Sequence, residues 1–132
     1  MINEKLAGGL SNKRVAVLGL AFKPETNDMR DAPSVDIIRG VVKRGATVIA
    51  YDPIASDEAR ELLPQIEFAA DEYEAVAAAD VLVFVTEWNQ FRALDMERVR
   101  KLMRAPRIAD LRNIYDPSAI REMGFEYVGV GR

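Results

Sequence analysis

The sequence predicts an α/β protein, a mostly parallel sheet covered by helices on both faces, and three observations carry that expectation. Apolar runs such as VAVLGL and VLVFVT are continuous and do not alternate, as strands buried on both faces require. Between the runs lie segments whose apolar residues recur at helical spacing, so strand and helix alternate along the chain. In two of these segments proline stands at the opening turn and glycine just past the end, the asymmetry expected at helix termini.

Taken in order, the run from Arg14 (VAVLGL) is the first strand. A polar stretch without helical period follows, and Pro33 then opens the helix PSVDIIRGVVKRG, with Val35, Ile38, Val41 and Val42 on one stripe and Gly45 beyond its end. TVIAY at Thr47 to Tyr51 is the second strand, the stretch from about Ala55 to Leu63 a helix, and Ile66 to Phe68 a short edge strand. Asp71 and Glu74 make a start resembling a capping box for an alanine-rich helix. VLVFVT from Val81 is the next strand, and Asp95 caps a helix whose Met96, Val99, Leu102 and Met103 share a face. RIAD around Ile108 is a further strand, Asp116 and Pro117 open a short helix that stops at Gly124, and FEYVGV supplies the last strand. Right-handed crossovers through these elements lead to a Rossmann-like three-layer α/β/α sandwich with strand order 3-2-1-4-5-6.

With 132 residues, 49% of them hydrophobic, the chain fills one core and is too short for two of ordinary size. Residues 1–12 read as the tail of a connecting helix or as a segment foreign to the domain, and residues 13–132 as the domain itself. A net charge of −3 offers no long-range attraction to nucleic acid or to an anionic membrane, so neither is expected as a partner. No apolar run approaches the roughly 18 to 20 residues of a membrane span, and the start MINEKLAGGL lacks a signal pattern, so a cytoplasmic location is expected. The sequence has no cysteine and no histidine. That removes the thiolate nucleophile, the usual zinc ligands and the commonest general base from this chain.

In such sheets a ligand sits outside the carboxyl ends of the strands, at the point where strand order reverses. Three loops are selected, those after Leu20, Thr86 and Asp110. The first reads GLAFKPETNDMR and lacks the G-x-G-x-x-G dinucleotide fingerprint. It carries Phe22 and two cations, Lys23 and Arg30, which suit phosphate or carboxylate but read equally as solvated surface charge. Trp88 in the second loop could flank a ligand or fill a gap in the packing. Arg112 in the third points toward the same crevice or forms a structural ion pair. Asp52 stands where a dinucleotide site keeps its ribose carboxylate, yet without the glycines it reads as a turn former.

The stretch GLAFKPETNDMRDAPS, from Gly19 to Ser34, resembles the UDP-glucose/GDP-mannose dehydrogenase family pattern G-L-[AS]-F-K-x-x-T-x-D-x-R-x-[AS]-P-S. YDP at Tyr51, TEWNQFRALD at Thr86 and DLRNIYDP at Asp110 extend the resemblance over nearly the whole chain from Lys13. TEWNQFR and DLRNIYDP look more like the UDP-glucose branch than the GDP-mannose or N-acetylated-sugar branches. Asn27 departs from the aspartate that many relatives carry.

The resemblance implies the carboxy-terminal, UDP-binding domain of an NAD-dependent enzyme that oxidises UDP-glucose to UDP-glucuronate with two NAD. It implies that Phe22, Lys23 and Arg112 bind the nucleotide sugar and that Arg30 serves the NAD side of the cleft. The catalytic cysteine, most of the NAD site and much of a homodimer contact would belong to other parts of the same enzyme, so this chain alone is expected to oxidise nothing. The residues by themselves leave open a dehydrogenase of another nucleotide sugar, a free-standing nucleotide-binding regulatory module, and an assembly domain.

Overall fold

A computed structural model describes residues 12–21, 33–86 and 88–129. In chain order the elements are β1 (Arg14–Leu18), α1 (Pro33–Lys43), β2 (Thr47–Tyr51), α2 (Ser56–Leu62), β3 (Glu67–Phe68) and α3 (Glu72–Val76). There follow β4 (Val81–Phe84), α4 (Asn89–Arg92), α5 (Met96–Leu102), β5 (Arg107–Asp110), α6 (Pro117–Glu122) and β6 (Glu126–Gly129). The strands form one sheet in the order β3-β2-β1-β4-β5-β6, as the sequence predicts. Every neighbouring pair is parallel.

Strand alternation divides the core into two layers. Val15 and Val17 of β1, Val48 and Ala50 of β2, and Val81 and Val83 of β4 face α1 and α2, where they meet Ile38, Val41, Ala59 and Leu63. Ala16, Leu18, Ile49, Leu82 and Phe84 point to the opposite layer and pack with Val76, Phe91, Met96, Val99 and Ile120 from α3 to α6. Because β1 and β4 are covered on both sides, they show the unbroken apolar runs that marked them in the sequence. The edge strand β3 is only two residues long and is paired to β2 through Glu67 and Phe68.

Two elements differ from the sequence expectation. The alanine-rich stretch is helical only from Glu72 to Val76, because Ala78 takes a left-handed φ of 61° and turns the chain toward β4. That conformation costs an alanine roughly 1–3 kcal/mol and persists where surroundings fix it. Here the Ala78 amide donates to the Leu102 carbonyl at 2.8 Å, and the Ala79 carbonyl accepts from Arg104 at 2.8 Å. The second difference is α4, a single turn placed in what reads as the loop after Thr86.

The foot of the sheet is tied by Asp80, whose Oδ2 accepts the Arg14 amide at 2.9 Å. Arg14 in turn reaches Glu67 across the sheet at 3.3 Å. These contacts hold β1, β3 and β4 at their amino ends and leave the carboxyl ends to carry the loops.

Candidate functional site

At the carboxyl edge the chain runs from β1 toward β2 on one side and from β4 toward β5 on the other, so a crevice opens between the β1 and β4 loops. The two loops touch at Gly19 and Thr86. Gly19 has φ +93°, and a Cβ built on it would lie 2.5 Å from Thr86 Cβ and Oγ1. Glycine is required there twice over, by backbone conformation and by contact. Thr86 is fully buried and its hydroxyl donates to the Ala21 carbonyl at 2.7 Å. Ser34, at the start of α1 and equally buried, donates to the Leu20 carbonyl at 2.5 Å. Both carbonyls of the β1 loop are therefore fixed by hydroxyls from other elements.

The amides of the same loop are fixed by a carboxylate. Asp52 Oδ2 accepts from Leu20 N–H at 2.7 Å and from Ala21 N–H at 3.3 Å. Its Oδ1 accepts from Ile54 and Ala55 at 2.9 and 2.8 Å, closing the turn after β2. The turn-former reading of Asp52 holds, and the side chain also welds β1 to β2. With four backbone donors on a carboxylate that is 2% exposed, Asp52 has no capacity left for a ribose hydroxyl. The Leu20 and Ala21 amides face the aspartate in place of a pyrophosphate. These described residues do not fit the dinucleotide cradle of an NAD-binding Rossmann domain, in keeping with the missing glycine fingerprint.

The third loop is wound around Asp110, the last residue of β5. This carboxylate is fully buried. Oδ1 accepts the Arg112 amide at 3.1 Å, while Oδ2 accepts the Tyr115 amide at 3.1 Å and the Tyr127 hydroxyl at 2.5 Å. Asn113, at φ 54°, supplies the left-handed step that lets the chain double back within these bonds. The Tyr115 hydroxyl donates to the Phe91 carbonyl and joins this loop to α4. Burial, followed by the Asp110 charge, pushes the Tyr115 phenol above its ordinary pKa. Tyr115 thus stays a neutral donor at physiological pH.

Arg112 is half-buried and stands at this edge, beside the crevice that the sequence assigns it. Phe22, Lys23 and Arg30 lie outside the described residues, as does Glu87. Trp88 is 8% exposed and belongs to the core layer with Phe84 and Phe91, which is the packing role. Its buried indole N–H has no hydrogen-bond partner among the described residues. Gln90 on α4 donates to Glu72 of α3 at 2.6 Å and so anchors the β4 loop from its far side.

Sequence reasoning passed over Ser34 and Thr86 and treated Asp110 only as the start of a motif. The signal for all three is a small polar residue at a strand end or helix start, where a side chain is expected to satisfy loop backbone. Chemically, the described edge offers a cation on a fixed loop and carboxylates already committed to backbone amides. Such an edge can bind and orient an anionic ligand. Among the described residues no cluster of carboxylates is arranged to hold a metal ion, and no helix is long and apolar enough to cross a membrane.

Comparison with known proteins places these features in context. The profile of the "UDP-glucose/GDP-mannose dehydrogenase family, UDP binding domain" matches residues 16–117. A UDP-glucose 6-dehydrogenase of Rhizobium meliloti is 46% identical over 125 residues, covering 95% of this chain and 29% of that protein. One from Pseudomonas aeruginosa is 40% identical over 99% of this chain and 30% of its own length. The chain therefore spans under a third of the curated relatives it matches. Among solved structures, an NDP-N-acetyl-D-galactosaminuronic acid dehydrogenase from Methanosarcina mazei superposes with a TM-score of 0.85 at 29% identity, over 98% of this chain and 26% of that one. A UDP-glucose dehydrogenase from Pyrobaculum islandicum gives 0.79 at 32% identity, over 98% and 28% respectively.

Proposed function

The chain belongs to the UDP-glucose/GDP-mannose dehydrogenase family as its UDP-binding domain, and from that premise we propose that it is the nucleotide-sugar-binding part of a UDP-glucose 6-dehydrogenase. The observation that carries this reading is 46% identity to one such enzyme over 95% of the chain, with the Asp110–Arg112 turn at the ligand edge. The full enzyme converts the C6 alcohol of UDP-glucose to the carboxylate of UDP-glucuronate. NAD supplies the oxidation, accepting one hydride in each of two steps, and water provides the second carboxylate oxygen.

In this scheme Phe22, Lys23 and Arg112 bind the nucleotide sugar, and Arg30 faces the NAD held mainly by another domain. Residues 1–12 end the helix that leads from the rest of the enzyme, and residues 13–132 close over the substrate. With no cysteine or histidine, the chain contributes binding and orientation while the covalent step proceeds elsewhere. The filled cradle at Leu20, Ala21 and Asp52 supports this division, because it leaves the dinucleotide to a different domain. A homodimer of the full enzyme in the cytoplasm completes the reading.

Calorimetry on the full-length enzyme with UDP-glucose, GDP-mannose and a UDP-N-acetylhexosamine tests it, with UDP-glucose expected to bind most tightly. Tightest binding of either competitor moves the protein to another branch of the family. Binding of none of the three, or NADH formation from UDP-glucose by the 132-residue chain alone, overturns the assignment.

A further inference from the structure

Resting on the substrate role of Arg112, we propose that Asp110 is the positioning residue that sets Arg112 for the nucleotide sugar. A strand that ends in a buried aspartate must satisfy both carboxylate oxygens locally, and here three donors do so from three directions. The Arg112 amide lies two residues on, the Tyr115 amide five residues on, and the Tyr127 hydroxyl comes from the neighbouring strand β6. Tyr127 also donates to the Tyr115 carbonyl at 3.2 Å, so the phenol grips both the carboxylate and the end of the turn. Tyr115 carries the connection across to the Phe91 carbonyl on α4. Arg112 is thereby fixed at its backbone relative to β6 on one side and the β4 loop on the other.

A long cation that must meet an anionic ligand loses rotamer freedom on binding, and a preset backbone reduces that loss. Asp110 itself is fully buried and makes no approach to ligand. Its effect on substrate is exerted through Arg112.

The test is a double-mutant cycle in the full-length enzyme, with the dissociation constant of UDP-glucose read by calorimetry. Asp110→Asn keeps volume and shape but replaces one acceptor oxygen by an NH2 group. It is expected to weaken UDP-glucose binding roughly tenfold. On an Arg112→Ala background the same substitution should add nothing, because the group it positions is gone. Tyr127→Phe removes a single hydroxyl donor and should give a smaller weakening that is also silent on Arg112→Ala. It carries the cycle if Asp110→Asn does not fold. An unchanged constant in Asp110→Asn and Tyr127→Phe, or a penalty that persists in full without Arg112, overturns the positioning role. A wild-type constant in Arg112→Ala is a separate result and removes the substrate role on which the proposal rests.

Discussion

Two glycines show how local geometry decides the effect of one methyl group. At Gly19 an added Cβ meets Thr86 at 2.5 Å and the residue holds φ +93°, so strain and overlap act together. Gly19→Ala is expected to destabilise the fold by roughly 2–5 kcal/mol, read by urea unfolding. Gly40, inside α1, has only Arg44 Nη1 at 3.5 Å from its would-be Cβ and an ordinary helical φ. Gly40→Ala should therefore stabilise by up to about 1 kcal/mol, and the opposite sign at either position would show that these contacts misrepresent the site. The charged residues of the ligand edge obey a different scale. Lys23→Ala and Arg112→Ala each remove a charge-assisted bond of about 1.5–3 kcal/mol, so UDP-glucose affinity in the full-length enzyme should fall roughly ten- to a hundredfold. An unchanged dissociation constant in a folded variant removes that residue from the substrate site.

Helix ends provide the corresponding test at the level of elements. Asp95 accepts the Arg98 amide at 3.1 Å and starts α5, which buries Met96 and Val99. Asp95→Ala should cost about 1 kcal/mol in urea unfolding while Asp95→Asn, which keeps an acceptor, should cost clearly less. Equal losses would mean that the cap is not what the aspartate contributes. The caps and the strands were legible in the sequence for the same reason: each is dictated by residues within a few positions of itself. TVIAY is a strand over the very residues expected, and Asp71 does accept the Glu74 amide at 2.7 Å. What escaped was set at long range. Alanine propensity favours a longer α3, yet Ala78 is pinned by Leu102, and nothing local in AVAAAD announces that contact. Likewise the Asp52 bond to Leu20 joins residues 32 apart, so the turn after β2 was readable and its grip on β1 was not.

On the scale of the whole molecule, one ligand edge is divided between substrate and cofactor. Arg30 is assigned to the NAD side although it shares a loop with Lys23, and seven residues of irregular chain can carry two side chains to different parts of a cleft. Arg30→Ala should raise the KM for NAD in the full-length enzyme while leaving UDP-glucose binding to the cofactor-free enzyme near wild type. Arg30→Lys should recover only part of the loss, since the ammonium keeps charge without the planar fork. A substrate defect without an NAD defect places Arg30 in the other half of the cleft. The position of β1 in the sheet has a consequence of another kind. This strand comes first among the six and lies inside the sheet between β2 and β4, and its bond to Asp80 spans 66 residues of chain. On a ribosome adding about 5–20 residues each second, β1 waits on the order of 3 to 13 s for β4 to emerge. Throughout that interval one side of an apolar strand is unpaired and open to a strand from any neighbouring chain. The finished domain hides this edge completely, so its exposure to aggregation belongs to its synthesis and not to its native state.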